Sequence, residues 1–333
     1  MKRRNFLKIA AGATVTAATL NPLSLLGKDQ IPPQGQRPQG PPPGGRPQGG
    51  FPPMEQGPKE YIPEGDGILV RFLGTGAADW FAPREDGEKR RNTSVLLDGK
   101  VLIDFNGTAV DMLPEGVKPE VIFYTHSHND HYNPTAALQL GIKRAYLGKT
   151  WIERAEDDFR KASEQTGLPV PELIPLNIGD CIEEKGLKLT ALPANHASNY
   201  LTEQTLIYLV EKEASTARIL YATDTGGIPA IAAQLAGIDR HVRENKFITG
   251  LIMEATMGLG YEEDYRIFTH SSVATVQTTV KVLTEIGKYL HVPDQKVYIT
   301  HMAKSLHPGQ AELDKTLPDP IKAAYDGLEV LFK

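Results

Sequence analysis

Apolar and polar positions change rhythm several times along the chain, and each rhythm predicts an element. Residues 67–73 form an apolar run of strand type that ends in Gly74-Thr75-Gly76, a turn sequence. Two further strand-like runs, 93–97 and 100–105, are joined by Asp98-Gly99, a strong hairpin signal. Residues 121–124 read as a buried strand, and similar runs recur at 187–191, 205–210, 218–222, 247–252 and 296–299. Helical spacing marks 151–166 as an amphipathic helix. It marks 272–290 as another, with Val273, Val276, Val280, Leu283 and Ile286 on one face. Strands interspersed with helices, without a repeat period, predict one layered α/β domain over residues 60–333.

The first part of the chain breaks that pattern. Lys2, Arg3, Arg4 and Lys8 precede an uncharged stretch, 9–27, in the order of a secretory signal. Arg3-Arg4 followed by Phe6-Leu7-Lys8 resembles the twin-arginine export signal. The expectation is a signal peptide over 1–27, export of the folded chain by the twin-arginine machinery, and a periplasmic or extracellular address. Thr14, Thr16, Thr19, Asn21, Pro22 and Ser24 make the stretch weakly apolar for a span, so no stable transmembrane domain is expected after cleavage. Residues 28–59 read as a disordered Pro/Gly/Gln-rich linker: of the 25 prolines in the chain, 10 fall between Ile31 and Pro58. Proline removes donors, and little apolar surface is available to offset the ordering entropy.

Composition excludes some classes. The 333 residues are 40% apolar and 23% charged, as in an ordinary soluble globular protein. A net charge of -5 exerts no global pull on nucleic acid or anionic lipid. Losing the four positive charges of the signal would take that -5 to -9. Cys181 is alone, which rules out an intramolecular disulfide, a redox pair and a cysteine-rich zinc module. It reads as a small buried hydrophobe.

Histidine carries the chemistry. Thr125-His126-Ser127-His128-Asn129-Asp130-His131 places four potential ligands in six residues, right after the strand at 121–124. No strand or helix aims all four one way, but a loop at a strand end wraps them around adjacent cations. Imidazole and carboxylate suit Zn²⁺ first, with Mn²⁺ or Fe²⁺ as alternatives. His196, Asp224 and His301 also each follow an apolar strand, so the strand ends would converge on one edge. This ordered set resembles the metallo-β-lactamase superfamily, over the whole body from Gly67 onward, and the resemblance implies its αββα sandwich. By that resemblance His126, His128 and His196 hold one metal. Asp130, His131 and His301 hold the other, with Asp224 bridging. Two cations about 3.5–4 Å apart lower the pKa of a bridging water and stabilise charge on attacking and leaving oxygens. Lactamases of the superfamily commonly use a cysteine ligand at the second metal. Asp224 takes the equivalent place and Cys181 precedes His196, which argues against β-lactam hydrolysis.

Two later motifs narrow the reading. Leu251-Ile252-Met253-Glu254-Ala255-Thr256 and Thr269-His270-Ser271-Ser272 resemble motifs of the tRNase Z branch and of the cyclic phosphodiesterases of phosphonate catabolism, with Met253 in place of a histidine. Arg91-Asn92-Thr93-Ser94 is similar to an N-terminal motif of the same branch. The resemblance implies a phosphodiesterase for a small or cyclic substrate. Glu254 would keep His270 protonated at the start of the predicted helix, and Asp130 would double as a base beside its metal. Export and an acidic body set aside a nucleic-acid polymer. Hydrolysis of a lactone, thioester or sulfate ester on the same metals stays open, as does a non-catalytic metal-binding surface protein. His241, His291 and His307 read as surface or capping residues, and Glu262-Glu263-Asp264 as a solvated turn. Trp80-Phe81 reads equally as a core anchor or a substrate mouth. Oligomeric state is open, a homodimer among the options.

Overall fold

Short runs buried on both faces make most of the central strands, which is why they carry no alternation of their own. The computed structural model describes residues 65–333 apart from 199 and 243–245, so the expected signal and linker lie outside the described residues. The first half of the chain gives β1 (Ile68–Gly74), β2 (Ser94–Leu97), β3 (Val101–Ile103), β4 (Val121–Phe123), β5 (Arg144–Gly148) and β6 (Glu172–Leu176). The second gives β7 (Cys181–Glu184), β8 (Leu187–Pro193), β9 (Leu206–Lys212), β10 (Arg218–Ala222), β11 (Gly250–Glu254), β12 (Val297–Thr300) and β13 (Ile321–Ala323). A last strand, β14 (Glu329–Phe332), returns to pair with β1.

Two sheets result, ordered β14-β1-β2-β3-β4-β5-β6 and β13-β12-β11-β10-β9-β8-β7. They share one plan: β1 to β3 and β7 to β10 pair antiparallel, then β3 to β6 and β10 to β13 pair parallel. Side chains alternate between two cores. From β4, Val121 and Phe123 enter the core between the sheets, while Ile122 joins the core beneath α1 (Pro134–Leu140) and α2 (Ile152–Thr166). From β10, Ile219 and Tyr221 face the first sheet. Leu220 and Ala222 join the core beneath α3 (Ala230–Leu235), α4 (Val273–Glu285) and α5 (Gln310–Thr316). The architecture is the expected αββα sandwich.

Local chemistry explains the ends. Asp98 (φ 47°) and Gly99 (φ 68°) both take the left-handed conformation that the tight β2–β3 turn needs. Ser272 caps α4 with a capping box to Thr275, as the predicted start requires. The helix stops at Glu285, short of 290. Gly287 turns the chain at φ 67°, and the Leu290 N–H donates to Ile248 O (2.9 Å) instead of continuing the helix. Cys181 corrects an expectation: it is exposed, because β7 is an edge strand whose burial falls on Glu184 and not on the thiol. Among the described residues no helix is long and apolar enough to cross a membrane.

Candidate metal centre

Six loops leave the same edge of the sandwich, and each begins where an apolar strand ends. β4 delivers the 125–131 loop, β8 delivers His196, β10 Asp224, β11 Glu254 and β12 His301. Asp104 follows β3 in the same way. A buried strand fixes the direction of its last residue, so a polar side chain just beyond it is aimed with little freedom.

All seven expected ligands meet there. His126, His128 and His196 bring ring nitrogens within 4.8 Å of one another, as do the donors of Asp130, His131 and His301, and those of His126, His131 and Asp224. Asp224 faces both trios. Its Oδ2 lies 3.0 Å from His131 Nε2 and 3.4 Å from His301 Nε2, and its Oδ1 lies 3.8 Å from His196 Nε2. Asp130 Oδ2 is 3.4 Å from both His131 Nε2 and His301 Nε2.

The outer nitrogens settle what the inner ones can do. Thr125 Oγ1 donates to Asp104 Oδ2 (2.8 Å) and accepts from His126 Nδ1 (2.9 Å). His131 Nδ1 donates to Asp104 Oδ2 (2.8 Å), His196 Nδ1 to Thr269 O (3.1 Å) and His301 Nδ1 to Thr256 Oγ1 (2.9 Å). Lone pairs on Nε2 of His126 and His196 therefore face His128 Nδ1 at 2.9 and 3.3 Å. His131 Nε2 and Asp224 Oδ2 are buried without a hydrogen-bond partner. Converging lone pairs and orphaned buried acceptors are costly alone and are what divalent cations require. The residues fit the group. Electrostatics agree: burial opposes charge on Asp224, yet His301 and His131 hold its carboxyl well below the usual range. Without a cation, Asp224, Asp130 and Asp104 raise His131 well above the ordinary value despite its burial, so a cation would bind its Nε2 by displacing that proton.

Beside the cluster, His270 Nδ1 donates to both oxygens of Glu254 at 3.1 Å. Glu254 is fully buried and also accepts from the Thr225 N–H and Thr256 Oγ1. Burial would lower His270, but Glu254, with Asp224 and Asp130 behind it, outweighs that and the imidazole is pushed up to about 9. One detail differs from expectation. α4 starts at Val273 with Ser272 as cap, so His270 precedes the helix, and its N–H is held by Arg266 O (2.8 Å). Met253 packs in the core beneath the helices, so it stands outside the site.

Sequence reasoning passed over the residues that orient the ligands. Asp104, read as part of a strand, accepts from the Thr125 N–H as well (2.8 Å). Glu203 clamps the histidine loop through the N–H and hydroxyl of Ser127 (2.7 Å each) and is itself held by Arg154 (2.6 Å). The signal was present at Asp104, which also ends an apolar run. His307 is a correction: it is buried, with Nε2 donating to Ala255 O (2.6 Å), because its segment packs on the turn after β11, where the Ala303 N–H also donates to Thr256 O (3.3 Å). Trp80 is an anchor, with Nε1 donating to Met302 O (2.8 Å), whereas Phe81 is 90% exposed. A cavity of ≈ 400 Å³ opens onto His128, His196, Asp224, His270 and His301. It meets a second cavity, of ≈ 750 Å³ and lined by Phe81, Arg91 and Asn92, at Ala78 and Asp130.

The profile of the beta-lactamase superfamily domain matches residues 106–302. A UPF0173 metal-dependent hydrolase of Methanopyrus kandleri is 28% identical over 120 residues, 34% of this chain and 47% of the relative. One from Sulfurisphaera tokodaii is 33% identical over 106 residues, 32% of this chain and 43% of the relative. The chain thus spans less than half the length of these curated relatives. Among solved structures, a diphosphatase from the PhnP family superposes with a TM-score of 0.56 at 22% identity, covering 80% of this chain and 98% of that one. The short form of human tRNase Z gives 0.54 at 15% identity, covering 80% and 99%. At these identities the likeness speaks for the fold.

Proposed function

The chain belongs to the beta-lactamase superfamily, and from that premise we propose that it is a dinuclear metal-dependent hydrolase of small phosphodiesters. One observation carries the reading: a buried Glu254 holds His270 beside the converging His and Asp cluster. His126, His128 and His196 would hold one divalent cation, Asp130, His131 and His301 the other, and Asp224 would give an oxygen to each. Imidazole and carboxylate favour Zn²⁺, then Mn²⁺ or Fe²⁺. Bound there, two such cations supply Lewis acidity and lower the pKa of a nearby water.

The chain's own residues do the rest. Glu254 fixes the plane of the His270 ring through Nδ1, which leaves Nε2 to give its proton to the departing oxygen. Asp130, on the wall shared by the two cavities, would accept the proton that the attacking water loses. The cavities suit a small ester, and a diphosphatase among the proteins of similar fold is in keeping with phosphorus chemistry. The Arg3-Arg4 segment supports export of the folded chain to the periplasm or beyond, away from nucleic-acid polymers.

His270→Ala tests the assignment. Turnover of bis(p-nitrophenyl) phosphate should fall by about 10²–10⁴-fold while metal content stays full. Full metal content with unchanged turnover would remove His270 from the chemistry.

A further inference from the structure

Among the described residues, Arg266 is the one lysine or arginine lining the ≈ 400 Å³ cavity. It sits on the 3-10 turn Tyr265–Phe268, just ahead of His270. Its backbone is committed, since Arg266 O accepts from the N–H groups of Thr269 (2.9 Å) and His270 (2.8 Å). Its side chain is held more loosely, with Cζ 5.3 Å from the centroid of the Tyr265 ring. Asp264 Oδ1 lies 3.3 Å from Nε, but that oxygen accepts from the Arg266 N–H (3.0 Å), and the buried Nε makes no hydrogen bond. Arg90 and Arg91, in the neighbouring wall, differ: they donate to Thr75, Ala324 and Gln310, and to Asp111 and Asp326. One buried donor, Nε, left unmet beside a cavity is a partial desolvation cost that a planar oxyanion would relieve.

Depth says which oxyanion. Side-chain exposure is 2% at Asp224, 3% at His301 and 4% at His196, then 15% at His270 and 28% at Arg266. The ester that His270 would serve lies beside the least exposed of these side chains, and Arg266 is the most exposed of them. We propose that Arg266 binds a second anionic group of the substrate, a phosphate or carboxylate lying on the solvent side of the scissile ester, and so selects polyanionic esters. This rests on the hydrolase reading above. Asp79, the other carboxylate at that end, is engaged by the Ser305 hydroxyl (2.9 Å) and the Lys304 N–H (2.8 Å), so it is not poised to take Arg266 for itself.

Matched chromogenic esters test it on the metal-loaded full chain: thymidine 5′-(p-nitrophenyl phosphate), the same ester with a 3′-phosphate, and the same ester with a 3′-O-carboxymethyl group. The wild type should prefer a doubly anionic ester by about tenfold or more in kcat/KM, through KM. Arg266→Gln should erase the preference, and Arg266→Lys should restore part of it, having charge without the fork. Preference for the 3′-phosphate alone assigns a phosphate, and preference for both assigns either anion. A wild type without preference, or a preference that survives in Arg266→Gln, overturns the proposal. Calorimetric titration with inorganic pyrophosphate needs no turnover, and Arg266→Gln should bind it about tenfold more weakly than the wild type. Equal affinities overturn the inference even if every ester is inert. Inert esters with weakened pyrophosphate binding would instead overturn the phosphodiesterase reading and leave Arg266 as the anion site.

Discussion

Asp104 receives the Thr125 N–H, the Thr125 hydroxyl and His131 Nδ1, all at 2.8 Å, and touches none of the space between the ligands. Through Thr125 it also sets the tautomer of His126, so one carboxylate orients a ligand in each trio. Asp104→Asn loses an acceptor oxygen and adds donors where donors already point. Metal affinity should drop by about 10–100-fold, read by competition with a chromogenic chelator. Unchanged affinity would make Asp104 a packing residue. His307 shows the opposite case, a histidine buried to stay neutral. Burial, with Arg90 and Arg84 adding to it, pushes the ring down to about 4 despite its bond to Ala255 O. Unfolded, it titrates near the usual histidine value of about 6.5. Between those values the unfolded chain takes up a proton that the folded one refuses, so stability is full above the upper value and falls as pH drops toward the lower. From pH 7.5 to pH 5 the wild type should lose about 2 kcal/mol more than His307→Gln in urea unfolding. Equal losses would show that His307 titrates normally.

At the scale of elements, strand ends aim the site and one helix cap steadies it. Asp104 (φ 56°) and His301 (φ 52°) turn into the left-handed region directly after β3 and β12, and Asp224 (φ 48°) does so two residues after β10. Non-glycine residues hold that conformation only where the surroundings impose it. That repetition made the site legible: each ligand could be found as the polar residue just past an apolar run. Asp104 escaped because its run was read through to Phe105, and Arg266 because a charged residue in a turn looks like any solvated one. The pairing of strands was less legible. β2, β3 and β4 are buried at every position, so no alternation marks their faces, and their order depends on contacts distant in sequence. The two long helices read better: spacing located α2 and α4, with only Gly287 shortening α4, while the short α1, α3 and α5 went unread. Ser272→Ala removes the acceptor for the Thr275 N–H (3.2 Å) and should cost about 1 kcal/mol in thermal or urea unfolding. No loss would mean that packing alone holds the start of α4.

Over the whole molecule, two sheets of like plan enclose one core and each carries a second core beneath its helices. Each sheet sends ligands to the same edge, the first through β4 and the second through β8, β10 and β12, so the metal centre forms only when both are in place. Cations that bind the folded chain should therefore stabilise it as a unit, and a chelator should lower the melting temperature. The most direct test of a dinuclear phosphodiesterase is stepwise reloading of the chelator-stripped full chain with Zn²⁺ or Mn²⁺. Bound metal and bis(p-nitrophenyl) phosphate turnover are followed together. The predicted result is saturation at two metals per chain, with hydrolysis rising as the second site fills. Two tightly bound metals with no phosphodiester hydrolysis, or full activity with one, would contradict it.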